Sequence, residues 1–323
     1  MPKKRKSIAD DEPSNDNKAV ESKEKDTAPP AEKKKKTSTQ HETKAKEEQE
    51  TKGEILVDES KHTSTIEKGH IYFFYRPKVS TKQVKGADDV QKILMILKPY
   101  WSSSNKRHPT LIIVGRKKLP QIKRHERYWA FVDKSTAKLE DVTEPLKEHG
   151  YETKTKGEQT IQAARPMGEG VYAIGTHQGH SHLAYMLTLP DQLTEVQDAF
   201  NLEKQGSIII SVKNPDQPSP AGTGLGDSQK ANFPSALKKA FAGRRFVSME
   251  TTEFLNYENC ELMLIGAKKD VMAELGKTGK ALEEMEIEDE EHIEYVGVDQ
   301  ALFDDLHLES KNNPVEPLKG EWK

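Results

Sequence analysis

The sequence has few of the features that mark secreted or membrane-spanning proteins. It contains one cysteine, Cys260, so no intramolecular disulfide can form, which suits a reducing compartment such as the cytosol or nucleus. It lacks any run of about 18 consecutive apolar residues, so we expect no membrane span and no membrane partner. The basic N-terminus MPKKRKSIADDEP is followed by no apolar stretch, which argues against a secretory signal.

Aromatic residues are absent from the first part of the chain, where Tyr72 is the first. Residues 1–68 hold 32 charged residues, 16 of each sign, so this stretch has no net charge. It cannot bury enough apolar surface to offset the entropy lost on ordering. We therefore expect residues 1–68 to be a disordered charged arm.

Residues 69–272 are predicted to form a single compact α+β core. Apolar and aromatic runs predict strands at IYFFY, TLIIV, RYWAFV, SIIISV, RFVSM and CELMLIG. One helix is predicted over residues 88–97. Its apolar residues, Val90, Ile93, Leu94 and Leu97, recur at helical spacing. A second helix is predicted after Thr194, which together with Gln197 has the pattern of a capping box.

The two halves of this core share an order of elements. Each half has a strand with a glycine and aromatics, then a D/E-V-Q segment, then an isoleucine-rich strand and a strand with arginine and an aromatic. The D/E-V-Q segments are residues 89–91 and 195–197. We interpret the pattern as a weak internal repeat of two strand-helix-strand-strand halves, although any α+β chain could yield such matches.

The last part of the chain is strongly acidic. Residues 283–294 hold eight acids and no lysine or arginine. We predict residues 273–323 to be a mostly disordered acidic tail with one short helix. Its end carries an unusual feature, because Trp322 lies outside the core. We expect Leu318 and Trp322 either to dock onto the protein's own core or to anchor a partner's groove.

Several stretches resemble a family of uncharacterised proteins from fungi, plants and bacteria. They are GHIYFFYRPKV, HSHLAYMLTLP, SIIISVKNP and GRRFVSMETTEFLNYENCELMLIGA, and the resemblance spans residues 68–267. Fungal members of that family often carry the label "BTB domain transcription factor". The resemblance supports the core boundaries and the interpretation of both ends as additions. It implies no activity and no catalytic residues.

Two clusters of cations are candidate binding residues. Lys3, Lys4, Arg5 and Lys6 resemble the basic import signal of the viral large T antigen type, and they predict nuclear localisation and an import receptor as partner. The second cluster could bind phosphates, with Tyr128 and Trp129 beside it for stacking on a base. It consists of Arg116, Lys117, Lys118, Lys123, Arg124 and Arg127. A solvated loop is the alternative for this cluster.

Three histidines in THQGHSHLAY form the candidate metal site. If residues 178–179 make a two-residue hairpin turn, His177 and His180 face each other across the strands, with His182 on the same face. Three imidazoles on one face could hold zinc, although no fourth ligand is evident. A polar hairpin tip without metal is the alternative.

The sequence contains no complete catalytic signature, and we expect no cofactor. The segment GTGLG at residues 222–226 could cradle a phosphate, but its distance from any strand favours a connector. The leading hypothesis is a non-enzymatic nuclear interaction or regulatory protein with an unidentified nuclear protein as partner. Two alternatives remain: a nucleic-acid-associated protein that uses the residue 116–127 patch, and a metal-dependent hydrolase that uses the three histidines.

Overall fold

The structure of the protein, a computed structural model, describes residues 64–322, with gaps at residues 80, 82, 105, 122–123, 156, 178, 221, 227, 297 and 309–312. The strands are β1 (Ser64–Pro77), β2 (Val90–Ser102), β3 (Thr110–Val114), β4 (Arg127–Ser135), β5 (His149–Thr153), β6 (Gly157–Ile161), β7 (Arg165–His177), β8 (His180–Leu189), β9 (Gln205–Lys213), β10 (Phe246–Ser248) and β11 (Glu261–Gly266). The helices are α1 (Leu139–Thr143), α2 (Glu195–Ala199), α3 (Ser235–Ala240), α4 (Val271–Leu275), α5 (Lys277–Val296) and α6 (Val298–Leu306). Short 3-10 turns occur at Ala87–Asp89, Glu144–Leu146, Thr252–Asn256 and Glu316–Lys319.

Eight of the strands close into an antiparallel barrel. Their order is β9-β11-β4-β3-β2-β1-β7-β8, and β8 pairs back onto β9. Strand β10 adds three residues beside the end of β9, while β5 and β6 form a separate two-stranded sheet. Closure satisfies strand edges that an open sheet would expose. The prediction of an α+β core is therefore wrong, because the core is a β-barrel with a few short helices attached.

Strand β2 shows why a helix was predicted in its place. Ile93 and Met95 face the barrel interior, whereas Leu94 and Ile96 face outward against α5 and α6. A strand that is buried on both faces is a continuous apolar run without polar alternation. Such a run also contains apolar residues at helical spacing by coincidence. The predicted helix over residues 88–97 is wrong for this reason.

Of the remaining predictions for the core, the strands and one helix cap are confirmed, whereas the internal repeat is wrong. The six predicted strands are confirmed, and so is the α2 capping box, in which Val196 N donates to Thr194 Oγ1 and Thr194 N donates to Gln197 Oε1. The two D/E-V-Q segments, however, have different structures. Residues 89–91 lead into strand β2, whereas residues 195–197 begin helix α2. The interpretation as two similar strand-helix-strand-strand halves is therefore wrong.

The acidic region near the C-terminus differs from the expected disordered tail. Helix α5 runs for 20 residues and buries Leu282, Met285, Asp289 and Ile293. These positions share one face of the helix, and most of the acids other than Asp289 are exposed on the rest of its surface. The high acid content conceals this narrow apolar stripe in the sequence. None of the helices in the described ranges is long and apolar enough to cross a membrane.

The barrel interior is packed with side chains, and its two ends differ. One end, where β1 and β3 begin, is filled by a buried ion pair and is called the closed end below. There Arg107 donates to Glu67 through Nε (2.7 Å to Oε2) and Nη2 (3.2 Å to Oε1), and Tyr172 donates to the same carboxylate at 2.7 Å. The other end, where β2 and β4 begin, is called the groove end. This end carries the candidate functional site.

Candidate functional site

A groove of 830 Å³ opens at the groove end, where the β3–β4 loop, the start of β2 and helix α2 meet. We call it the basic groove. Its polar lining consists of Asp88, Gln91, Lys92, Arg116, Lys117, Lys118 and Tyr128. The first three predicted phosphate-binding residues therefore share one cavity, together with a tyrosine.

The local geometry of the β3–β4 loop places the cations. Gly115 N donates to Trp129 O at 2.7 Å, and a side-chain carbon added at Gly115 would lie 2.8 Å from that oxygen. Glycine therefore permits this close approach of the two backbones. Further along, Leu119 N donates to Phe200 O at 2.9 Å. The loop is held at both points, and the cations between them project into the groove.

The groove has an excess of positive charge. Arg116, Lys117 and Lys118 are exposed, and none of them forms an ion pair with a carboxylate of the described residues. Lys92 is half-buried on β2, and burial lowers the pKa of its ammonium group. Asp88 adds one negative charge to the lining. The arrangement is therefore suited to an anionic ligand with several charges.

Tyr128 forms the aromatic wall of the groove. The Arg116 guanidinium carbon lies 6.0 Å from the centre of the Tyr128 ring. The Tyr128 hydroxyl donates to Glu126 at 2.7 Å, and burial together with this carboxylate raises the pKa of Tyr128 to about 12. Glu126 interrupts the basic stretch in the sequence, yet it also accepts from Gln121 N and holds the tyrosine in place. Among the described residues, it forms no ion pair with the exposed cations of the loop.

The other predicted residues of this patch lie elsewhere. Arg124 and Arg127 are exposed but do not line the groove, and Lys123 lies outside the described residues. Trp129 contacts Phe246, with ring centres 5.7 Å apart, because neighbouring residues on a strand face opposite sides. Lys92 was missed because its segment was predicted as a helix. Residues 90–93 (VQKI) do not alternate between polar and apolar types, so the sequence carried no strand pattern that would have indicated it.

The three histidines form the predicted hairpin. His177 and His180 are cross-strand partners, and the rings of His177 and His182 lie 5.9 Å apart. His182 is only 3% exposed, and its Nδ1 lies 3.0 Å from Ser207 Oγ. Burial, followed by the neighbouring His177 and His180, lowers the pKa of His182 to about 4. In the ranges that the structure describes, no three His, Cys, Asp or Glu side chains are placed to hold a metal ion.

The glycine-rich connector and the import signal complete the set of candidates. Leu225 N donates to Glu261 Oε1 at 2.8 Å, so a carboxylate of the protein itself occupies an amide that a phosphate would need. Helix α3 begins only at Ser235 and has six residues. The predicted import residues, Lys3, Lys4, Arg5 and Lys6, lie outside the described residues.

The C-terminal residues lie at the groove end of the barrel. Leu318 is buried, and the Trp322 ring lies 6.0 Å from the Tyr75 ring and 5.6 Å from the Phe200 ring. Gln197 Nε2 donates to Pro317 O at 3.0 Å, which ties this segment to helix α2. Ala199, two residues later in the same helix, lines the basic groove. The C-terminal segment and the groove thus share one supporting helix.

Comparisons with models of protein families, with curated proteins and with solved structures find no match to this chain. A functional assignment therefore depends on the geometry of the sites described above.

Proposed function

We propose that the protein is a non-enzymatic nuclear binding protein that holds single-stranded nucleic acid in the basic groove. The observation that carries this proposal is the convergence in one cavity of one tyrosine ring and three exposed cations, none of which has an ion-pair partner among the described residues. Proteins that bind single strands combine a positive groove, which follows the phosphates, with aromatic rings on which bases stack. The basic groove contains both parts.

The charges of the groove suit a polyanion better than a single small anion. Arg116, Lys117 and Lys118 are consecutive, so their side chains spread along the loop rather than converge on one point. The chain as a whole has a formal charge of -3, so attraction to nucleic acid has to be local. Each phosphate contact would release counterions, which makes binding dependent on salt.

Nuclear localisation is the second part of the proposal and depends on Lys3, Lys4, Arg5 and Lys6. We expect a fluorescent fusion of the full chain to accumulate in the nucleus, and we expect substitution of all four residues by alanine to abolish accumulation. A matched variant replaces Lys33, Lys34, Lys35 and Lys36 by alanine and should remain nuclear. An unchanged distribution of the first variant would contradict the import assignment.

The groove is tested by measuring the affinity of the full chain for labelled single-stranded DNA and RNA. With three phosphate contacts, affinity should fall about 20-fold between roughly 50 and 200 mM salt. The variant Arg116→Glu, Lys117→Glu, Lys118→Glu should lose at least as much affinity at the lower salt concentration. The control, Lys138→Glu, Lys154→Glu, Lys280→Glu, has the same charge change at exposed lysines that do not line the groove.

Two outcomes would contradict the groove assignment. One is the absence of binding by the wild-type chain even at the lower salt concentration. The other is an equal loss of affinity in the groove variant and in the control, which would indicate a diffuse electrostatic attraction. A duplex competitor that displaces the single strand at equal concentration would contradict the stacking role of Tyr128.

A further inference from the structure

A second cavity, of 280 Å³, lies between the outer face of the barrel and helices α5 and α6. We call it the acidic cavity. Its polar lining comprises His70, Tyr100, Glu288, Asp289, His292 and Asp305. Neither the proposed function nor any sequence motif involves these residues. The cavity therefore needs its own explanation.

Negative charge is in excess in and around this cavity. Asp289 accepts a hydrogen bond from Thr188 Oγ1 at 2.5 Å and lies 3.2 Å from His70 Nδ1. Asp305 accepts from the hydroxyl of Tyr72 and pairs with Lys98 at 3.2 Å. The lining also includes the exposed carboxylate of Glu288. Of these three carboxylates, only that of Asp305 is paired with a lysine among the described residues.

Glu169 is a buried carboxyl group in the same cluster. It is 2% exposed, and its Oε2 has no hydrogen-bond partner among the described residues. It pairs in register with Tyr72 and lies two residues from Val171, which lines the cavity from the same face of β7. Burial and then the charges of Asp289 and Asp305 raise its pKa well above the ordinary value. A raised pKa means that Glu169 holds its proton more readily, so the negative charge at the cavity comes from Glu288, Asp289 and Asp305.

Aromatic groups lie at the opening of the cavity. Tyr100 is 58% exposed, and its ring lies 5.9 Å from that of His70. Tyr295, which is 89% exposed, lies three and seven residues after His292 and Glu288, so it extends the same face of α5. The cavity thus combines carboxylates with a ring face, the groups that attract organic cations.

We propose that the acidic cavity receives a lysine or arginine side chain of a basic partner polypeptide. The carboxylates of Glu288 and Asp289 would accept hydrogen bonds from the cation, and the Tyr100 ring would pack against it. The surrounding acids of α5 complement further cations of the partner, which favours a basic polypeptide over a small amine. No three carboxylates or histidines of the described residues converge closely enough to hold a metal ion, whereas a flexible cationic side chain needs no such convergence.

The test measures binding of a tetralysine peptide to the full chain by calorimetry at low salt. The site variant, Tyr100→Leu with Glu288→Gln, should bind about ten-fold more weakly, because it loses one ring and one carboxylate. The control, Tyr151→Leu with Glu290→Gln, makes the same chemical changes at exposed residues outside the cavity. It should bind within about two-fold of wild type. Asp289→Asn, with its melting temperature checked, should also weaken binding.

Four outcomes would overturn the proposal. The first is the absence of tetralysine binding by wild type, and the second is an equal loss of affinity in the site variant and the control. The third is a wild-type dimer that dissociates in the site variant. The fourth is a large gain of affinity for tetralysine when Lys33–Lys36 are replaced by glutamine. The last would mean that the chain's own lysines already occupy the cavity. The variant Arg116→Glu, Lys117→Glu, Lys118→Glu should retain tetralysine binding, so the proposal can fail independently of the nucleic-acid assignment.

Discussion

The two ends of the barrel use the same residue types in opposite ways. At the closed end, the side chains of Arg107 and Glu67 are 2% and 0% exposed, and Tyr172 donates to the same carboxylate. At the groove end, Arg116 lies over Tyr128, is exposed and forms no ion pair with the described residues. The two buried charges at the closed end, those of Arg107 and Glu67, are paired with each other. The contrast indicates that the closed end serves stability and that the groove end is available to a ligand.

The physical basis of the contrast is desolvation. Taking a charge out of water costs several kcal/mol, so a buried ion must keep its partner. An exposed charge keeps its hydration and contributes little to stability. Substitutions of charged residues at the two ends should therefore affect different quantities, namely the free energy of unfolding at the closed end and the affinity for a ligand at the groove end.

The largest effect is expected for Arg107→Met, which leaves the Glu67 carboxylate buried without a cation. We expect the free energy of unfolding to fall by about 3–5 kcal/mol. The double variant Glu67→Gln with Arg107→Met removes both charges and should recover part of this loss. Urea unfolding measures the free energy of unfolding of both variants, and Arg116→Met serves as the control at the groove end. A loss below about 1 kcal/mol for Arg107→Met would contradict a structural role of the ion pair.

A smaller loss is expected for Tyr172→Phe. The change removes the hydroxyl that donates to Glu67 at 2.7 Å, a hydrogen bond to a charged group. Such bonds contribute about 1.5–3 kcal/mol to the free energy of unfolding. Tyr128→Phe at the groove end removes a comparable bond to Glu126 in a wetter setting. If unfolding experiments give equal losses for both tyrosines, the distinction between the ends is not supported.

Stability should also depend on pH through His182, which is buried on the outer face of β8. Its pKa is lowered to about 4 in the folded state, so the unfolded state binds the proton more readily. Stability should therefore be full above the unfolded pKa of about 6.5 and should be lost as the pH falls toward 4. Between pH 7 and 5 we expect a loss of about 2 kcal/mol. Urea unfolding of wild type and His182→Gln at both pH values tests this, because the variant should lack this component of the pH dependence.

At the groove end, Trp322 is the residue whose loss should affect stability. It is half-buried against Tyr75 and Phe200, and such aromatic contacts contribute about 0.5–1.5 kcal/mol each beyond the buried area. We expect Trp322→Ala to lower the free energy of unfolding by about 1–2 kcal/mol, while the exposed neighbour Glu321→Ala should have little effect. An unchanged stability of Trp322→Ala would instead favour anchoring of a partner.

Much of the strand content could be predicted from the sequence, whereas the closure of the barrel could not. Local composition determines a strand such as Ile71–Tyr75 or a hairpin such as that of His177 and His180. Which strands become neighbours depends on contacts between distant residues, such as the pairing of Ser181 with Ile210. For the same reason β2 was predicted as a helix and not as a strand. The helices that bury its outer face come about 200 residues later in the chain.

The candidate sites, like the fold, could be predicted only where their residues are close together in the sequence. Arg116, Lys117 and Lys118 are adjacent in the sequence, so their cluster could be identified from the sequence alone. Lys92 joins them only because β2 and β3 are neighbours in the barrel. The acidic cavity had no signal of its own in the sequence, because its walls come from β1, β2, β7, α5 and α6, which lie far apart in the chain.

The most direct test of the account compares the salt dependence of single-strand binding between wild type and the variant Arg116→Gln, Lys117→Gln, Lys118→Gln. Each lost phosphate contact should reduce the slope of log affinity against log salt by about 0.7, so three contacts should reduce it by about 2. The free energy of unfolding of the same variant should stay within about 0.5 kcal/mol of wild type. An unchanged slope in the variant would contradict the assignment of the groove end to a ligand. A variant whose free energy of unfolding falls while its slope stays the same would contradict it as well.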